Sequence, residues 1–169
     1  MQIASDKEND EIVDFIINQR GIFKKAFIFC HSLVEIVIPS SVTKIGSYAF
    51  CSSSLQYISI PSSVVEIHAY AFDDCSSLDE VTFEEPFNLV LIAGYAFSGC
   101  ISLKEIEIPP SITCINAHVF RNCTSLEKIH FPSSLTTIGA SAFYSCTSLK
   151  QILIPSSVTI IKEKAFNVC

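Results

Sequence analysis

The fold of this chain is decided by residues 123–143, which read CTSLEKIHFPSSLTTIGASAF. Residues 146–166 repeat the same pattern as CTSLKQILIPSSVTIIKEKAF, so that each apolar position of the first copy has a counterpart in the second. A fixed period in the twenties is typical of solenoids, in which each repeat forms one supersecondary unit and buries its apolar face against its neighbours. The sequence therefore predicts a repeat solenoid.

Working outward from this stretch, the repeat is anchored by a phenylalanine that usually follows an alanine. The anchors stand at Phe27, Phe50, Phe72, Phe97, Phe120, Phe143 and Phe166. Between anchors, an Ile-x-Ile alternation predicts a short half-buried strand, which a proline usually ends. A second extended segment and a tight turn or one helical turn complete each repeat. We expect a mainly β solenoid of about six rungs of short parallel strands over residues 22–169.

Two intervals between anchors depart from the common period, while the other four are equal in length. In the short interval, from Phe50 to Phe72, one residue is missing and Ser53 stands where other repeats have a cysteine. In the long interval, from Phe72 to Phe97, Glu84 and Glu85 are inserted before a proline. Insertions in solenoids form loops on one face and leave the stack intact. We therefore expect Glu84 and Glu85 to protrude.

Residues 1–21 form a separate acidic N-terminal segment. Its apolar residues Ile12, Val13, Phe15, Ile16 and Ile17 follow two residues that can cap a helix, which predicts a short amphipathic helix ending near Gly21. A solenoid needs a cap over its first rung, and we assign that role to the helix. A membrane-surface helix is the alternative, but its polar face would be acidic instead of basic.

The composition of the 169 residues excludes several classes of function. The formal net charge is −6 and there is no run of Lys or Arg, which argues against nucleic acid or an anionic membrane as partner. No apolar run is long enough to span a bilayer. The first twenty residues lack the basic and then apolar pattern of a signal peptide, so the sequence predicts a cytoplasmic location.

Six of the eight cysteines occupy one repeat position, three residues after the anchor phenylalanine: Cys30, Cys75, Cys100, Cys123, Cys146 and Cys169. Stacked rungs would place neighbouring members about 5 Å apart, a separation that permits disulfides. We favour the alternative, in which these residues are buried, reduced and act as small apolar side chains. No Cys-x-x-Cys pair with histidines at metal-binding spacing occurs, so we expect no metal.

The consensus C-x-x-L-x-x-I-x-I-P-x-x-[VL]-x-x-I-x-x-x-A-F resembles the BspA-like class of leucine-rich repeats. The resemblance covers residues 22–169. It implies a leucine-rich-repeat fold and links the chain to adhesion proteins on the surface of mucosa-associated bacteria and parasitic protists. A cell-surface location is thus the alternative to the cytoplasmic one.

The sequence contains no set of residues that would define an enzyme. Its four histidines occupy different repeat positions, its serines belong to the repeat turns, and its five glycines form no phosphate-binding loop. We therefore expect a non-catalytic interaction module that needs no cofactor and binds a protein partner, in an adhesion or scaffold role.

Outward strand positions stack into columns and supply the candidate binding residues. The predicted partner-binding face, where leucine-rich repeats commonly bind, consists of Tyr57, Glu80, Glu105, Glu107, Lys128 and His130. An ordinary solvated face with cross-strand charge pairs is the alternative. A second column before Ala-Phe contains Tyr48, Tyr70, Tyr95 and His118. We favour a structural role for this column, in which its rings cover and stiffen the turn, over a second binding surface.

The last rung carries unusually apolar outward positions at Leu153 and Ile160, and its anchor Phe166 is followed by no further strand in this sequence. Apolar residues at an open edge predict that something covers them. The rival to a partner-binding role is therefore a self-assembling solenoid, in which Leu153, Ile160 and Phe166 join two copies in a two-fold homodimer. A longer repeat array is the alternative reading of this edge.

Overall fold

A computed structural model describes residues 20–169 of the chain, which form a solenoid of six full rungs after a partial one that ends at Phe27. We call each repeat that ends at an anchor phenylalanine a rung. No helix occurs in this range. The strands, in chain order, are β1 (Gly21–Ile22), β2 (Lys44–Ile45), β3 (Tyr57–Ile60), β4 (Glu66–Ile67), β5 (Glu80–Phe83), β6 (Leu91–Ile92), β7 (Glu105–Glu107), β8 (Cys114–Ile115), β9 (Lys128–His130), β10 (Thr137–Ile138) and β11 (Ile160–Ile161).

The strands form two parallel ladders along the solenoid. The first, which we call the strand face, contains the Ile-x-Ile segments and consists of the pairs β3–β5 and β7–β9. The second contains the short segments, in the order β1-β2-β4-β6 and then β8-β10-β11. Equivalent repeat positions lie opposite each other, as Ile58 does to Val81 and Ile138 to Ile161. The sequence period therefore sets the register of both ladders directly.

The turn through Ala-Phe forms a third side of each rung with its own ladder of backbone hydrogen bonds. Tyr95, Phe97 and Gly99 each donate an N–H to a carbonyl of the next rung, over 3.3, 3.0 and 2.7 Å. This arrangement needs positive φ at the residues two before and two after the anchor, as in Tyr95 at 62° and Asn122 at 60°. Such angles cost a non-glycine residue about 1 kcal/mol or more, which the ladder offsets.

The anchor phenylalanines form a continuous stack through the core. Neighbouring rings lie nearly parallel, and their centroids are between 5.1 Å (Phe72 and Phe97) and 5.7 Å (Phe97 and Phe120) apart. The five central rings are fully buried: Phe50, Phe72, Phe97, Phe120 and Phe143. A substitution at any of these positions would remove packing from two neighbouring rungs, so the stack holds the solenoid together.

The cysteine row connects neighbouring anchor turns through thiol hydrogen bonds. Cys100 donates its S–H to the carbonyl of Phe72 over 3.2 Å, and Cys146 to that of Phe120 over 3.1 Å. Burial raises the pKa of the Cys146 thiol to about 12 and that of Cys100 well above its ordinary value. All eight cysteines are free in the structure. Each thiol of the row therefore keeps its proton at neutral pH and can act as a donor.

The prediction of a strand in every full rung is wrong. The Ile-x-Ile segments around Ile36 and Ile152, in the first and last full rungs, form no strand. The reason is pairing: within residues 20–169, no backbone bond joins residues 150–154 to β9. The predicted capping helix lies outside the described residues. Glu84 and Glu85 are both exposed, and the N–H of Glu84 still bonds to the carbonyl of Ile60 over 2.9 Å, so Glu84 continues the ladder with β3.

Candidate protein-interaction site

The strand face places all six predicted partner-binding side chains on one exposed surface. Tyr57 of β3 lies opposite Glu80 of β5, Glu105 of β7 lies opposite Lys128 of β9, and Glu107 lies opposite His130. Alternation in each strand explains this, because the residues between them, such as Ile106, point into the core. The face is therefore a rigid array in which position along the sequence sets position in space.

The charges on this face are only partly paired. Glu105 accepts a hydrogen bond from Nε2 of His130 over 2.8 Å, and Nζ of Lys128 lies 3.9 Å from its other oxygen. Among residues 20–169, Glu80 and Glu107 form no ion pair. The middle of the face thus carries two uncompensated carboxylates, one on each side of the step from β5 to β7.

The strand face is interrupted at that step. At two other steps backbone bonds continue the sheet, Asp79 N to Gln56 O at 2.9 Å and Glu127 N to Lys104 O at 2.8 Å, whereas the step from β9 to residues 150–154 also lacks them in the described chain. Within the described range, no equivalent bond joins Lys104 to Asp79, and β5 and β7 belong to different sheets. The interruption coincides with the long interval, whose two extra residues follow β5.

Three depressions lie along this interruption, and together we call them the seam groove. One of about 440 Å³ is polar and lies between Asp79 and Lys104. A second of about 380 Å³ is acidic, with Glu80, Glu105 and Glu107 in its lining. A third of about 220 Å³ is lined by Val81, Thr82, Phe83, Phe87, Glu107, Pro109 and Pro110. The sequence analysis did not predict the apolar lining residues. The long interval from Phe72 to Phe97 was the sequence feature that could have indicated them.

The aromatic column forms the ladder that its repeat position predicts. Tyr48, Tyr70, Tyr95 and His118 stack face to face, with centroids 4.6, 4.6 and 4.4 Å apart. Burial, the neighbouring tyrosines and Asp73 raise the pKa of Tyr70, and burial together with Arg121 lowers the pKa of His118. The rings cover each other's faces, so that mainly their edges are offered to a partner.

The last rung exposes apolar side chains. Leu153 is 88% exposed and Ile160 is 49% exposed, whereas Phe166 is half-buried and stacks on Phe143 at 5.2 Å. Other rungs cover the equivalents of Ile161, which is itself 50% exposed here. The three residues predicted for self-association therefore surround one uncovered end of the described core.

The described residues contain no arrangement suited to catalysis or metal binding. Two histidines contact carboxylates, His68 with Glu66 at 2.9 Å and His130 with Glu105, but neither imidazole bonds to a serine or cysteine nucleophile in this range. Across residues 20–169, no group of three or more His, Cys, Asp and Glu side chains could hold a metal ion. The same part of the chain contains no helix with the length and apolar character needed to cross a membrane.

Fold and surface together define a leucine-rich-repeat solenoid. A family model described as a BspA-type leucine-rich repeat region, in six copies, matches residues 8–90 and 85–169. The chain belongs to this family. No curated protein matches the chain.

Solved structures of similar proteins come from several bacteria. A leucine-rich repeat protein from Bacteroides ovatus is 32% identical over 84% of this chain and 37% of its own, with a TM-score of 0.75. The T. pallidum leucine-rich repeat protein is 38% identical over 66% and 54% of the two chains (TM-score 0.63). A leucine-rich cell surface protein from Faecalibacterium prausnitzii is 32% identical over 76% and 41% (TM-score 0.58). The chain thus spans between 37% and 54% of the length of these three proteins.

Proposed function

We propose that this protein is a non-catalytic interaction module that binds a protein partner through its strand face, in an adhesion or scaffold role. The observation that carries the proposal is the convergence of Tyr57, Glu80, Glu105, Glu107, Lys128 and His130 on one exposed ladder. Family membership supports it, since leucine-rich repeats of this kind generally mediate protein–protein contact and are generally non-catalytic.

The rigidity of the solenoid favours binding on this face. Each strand is tied to its rung, and each rung to its neighbours, by the ring stack and by three sets of backbone bonds. The face therefore loses little conformational entropy when a partner binds, which leaves more of the contact energy as affinity. The similar structure described as a cell surface protein supports a location at the cell surface.

Charge reversal on the face tests the proposal. The variant with Glu80→Lys, Glu105→Lys and Glu107→Lys should keep its fold, because all three side chains are exposed. Binding to matrix proteins or to proteins of the parent cell should weaken, and its dependence on salt should change, because the charge complementarity across the interface would be reversed. If the folded triple variant bound as well as the wild type, the proposal for the strand face would be overturned. The aromatic column would then be tested as the binding surface.

A second candidate function is self-assembly through the last rung. It is supported by the exposure of Leu153 and Ile160. A two-fold contact between two copies would bury these side chains on both at once.

A further inference from the structure

The seam groove allows the partner class of the strand face to be specified. We propose that the groove binds an extended segment of a partner protein that carries a Lys or Arg within two residues of a large apolar side chain. This inference rests on the proposed function, and it adds where on the face the partner binds and which side chains it presents. The argument uses three features of the groove: its charge, its apolar end and the distance between the two strands that flank it.

The charge of the groove favours a basic side chain. Glu80 and Glu107 face it from opposite walls, with no ion pair of their own among residues 20–169. Glu105, in contrast, is already occupied by His130 and Lys128. A Lys or Arg between Glu80 and Glu107 would compensate both carboxylates and form charge-assisted hydrogen bonds. The described geometry offers no three-ligand metal arrangement here, so a side-chain cation fits better than a metal ion.

The apolar end of the groove adjoins the acidic part. Val81, Thr82 and Glu107 line both depressions, so the two are continuous. Beyond them, Phe83, Phe87, Pro109 and Pro110 form a depression of about 220 Å³, which has room for one large apolar side chain. In an extended segment, side chains two residues apart lie on the same side about 7 Å apart. One segment can therefore place a basic and an apolar side chain in the two parts.

The two strands that flank the groove remain adjacent. Although β5 bonds only to β3 and β7 only to β9, Cα atoms of β5 and β7 lie within 8 Å of each other, whereas a strand inserted between them would need about 9.5 Å. The partner segment therefore lies over the outer surface of the groove and is not inserted as an additional strand. An extended conformation lets it reach both parts of the groove with side chains two residues apart.

A second copy of this chain fits the groove poorly. The chain has a net charge of −6, so two copies repel each other, and a partner with basic segments is attracted to the same field. The strand face carries the uncompensated carboxylates, which would face acidic groups in such a contact. The occupant is therefore a different protein.

Selection from a phage-displayed library of random dodecapeptides tests the proposal. Selection on the wild-type protein should enrich peptides with Lys or Arg within two residues of Leu, Ile, Met or Phe. The best peptide is then synthesised with a fluorescent label, and its affinity is measured by anisotropy. The variant Glu80→Gln with Glu107→Gln should bind it at least about tenfold more weakly, since two charge-assisted contacts are lost. Phe87→Ser should also weaken binding.

The matched control is Glu35→Gln with Glu163→Gln, which removes the same charge from two exposed positions outside the groove. This control should keep the affinity within about twofold. An equal loss of peptide affinity in both double variants would overturn the proposal, because the effect would then come from the net charge of the protein and not from the groove. Selection that enriches no basic-apolar pattern, or a peptide that binds the Glu80–Glu107 variant as well as the wild type, would also overturn it.

Failure of this inference is distinguishable from failure of the proposed function. Tyr57→Ala and Lys128→Glu change the strand face on both sides of the groove without altering its lining. If Tyr57→Ala and Lys128→Glu abolished partner binding while the Glu80–Glu107 variant kept it, the groove would be overturned as the site. The strand face would then still be the binding site. Partner binding insensitive to all of them would overturn both.

Discussion

The thiol of Cys123, which follows the anchor Phe120, donates a hydrogen bond to the carbonyl oxygen of the preceding anchor, Phe97, over 3.1 Å. The same bond recurs from Cys75 to Phe50 at 3.0 Å and from Cys169 to Phe143 at 2.9 Å. A disulfide between neighbours in the row would remove the S–H donors and leave each carbonyl only its backbone partner, as Phe97 keeps the N–H of Cys100 at 3.4 Å. The cysteine row therefore contributes to stability in its reduced form.

Thiol reactivity should follow burial along the row. In the native protein at pH 8, a thiol reagent should modify exposed Cys169 first, while Cys100 and Cys123 should react only on unfolding, since burial raises the pKa of both. After denaturation without reductant, all eight thiols should react. A shortfall of two or more would indicate a disulfide and contradict this account.

The phenylalanine stack should make central rungs the most sensitive to truncation. Phe97→Ala removes a fully buried ring that stacks on both sides, and we expect it to lower the free energy of unfolding by about 3–5 kcal/mol. Phe166→Ala, at a half-buried ring with one stacking neighbour, is the matched control and should cost less than half as much. Urea unfolding followed by circular dichroism measures both, and equal losses would show that stacking on both sides adds nothing.

The ladder of positive φ angles gives opposite effects for two substitutions at the same repeat position. Gly99 has a φ of 71°, and an added Cβ would collide with the carboxylate of Asp74, so Gly99→Ala should destabilise by about 1 kcal/mol or more. Ser145 has a φ of 60°, and Ser145→Gly should stabilise by up to about 1 kcal/mol. Thermal unfolding of both variants checks the prediction. Destabilisation by Ser145→Gly would show that its hydroxyl outweighs backbone strain.

The carboxyl of Asp73 should make stability depend on pH. Burial raises its pKa to about 6, and Asp74 adds to the shift, while a hydrogen bond with Ser98 opposes it. The folded state holds this proton more tightly than the unfolded chain, so its contribution is complete below about pH 4 and is lost as the pH rises through about 6. Asp73→Asn should thus stabilise at pH 7.5 by about 1 kcal/mol after allowance for solvent screening, and much less at pH 4.

Urea midpoints at the two pH values measure this effect. Exposed Asp79, in the same rung, provides the matched control through Asp79→Asn. A gain from Asp73→Asn that is the same at pH 4 and pH 7.5 would exclude the buried carboxyl as its cause.

Self-association through the last rung should depend on its exposed apolar residues. Leu153→Lys with Ile160→Lys should convert a dimer to a monomer in light scattering, because two charges would be placed in an apolar contact. Val37, which is 86% exposed in the first full rung, supplies the control through Val37→Lys. A wild-type protein that is monomeric at high concentration would rule this assembly out.

The repeat pattern predicts most of this fold because each apolar letter recurs at a buried position of a stack, as Leu126 and Ile129 do. The left-handed residues could not be predicted in the same way. Tyr70, Tyr95 and His118 carry no glycine signal, and the ladder with the next rung imposes their positive φ. The strand-face residues follow from alternation. The seam groove depends on the missing backbone bonds between β5 and β7, which is a property of the stack and not of any local pattern.

Site-specific photocrosslinking tests the central claim, partner binding on the strand face, most directly. A benzophenone amino acid is placed in turn at Tyr57 on the strand face, at Tyr70 in the aromatic column and at Leu153 on the last rung. After irradiation with matrix proteins or an extract of the parent cell, we expect a covalent adduct with a different protein at position 57 and little at the other two. Adducts confined to position 70, or a homodimer adduct alone at position 153, would contradict the strand face as the binding site.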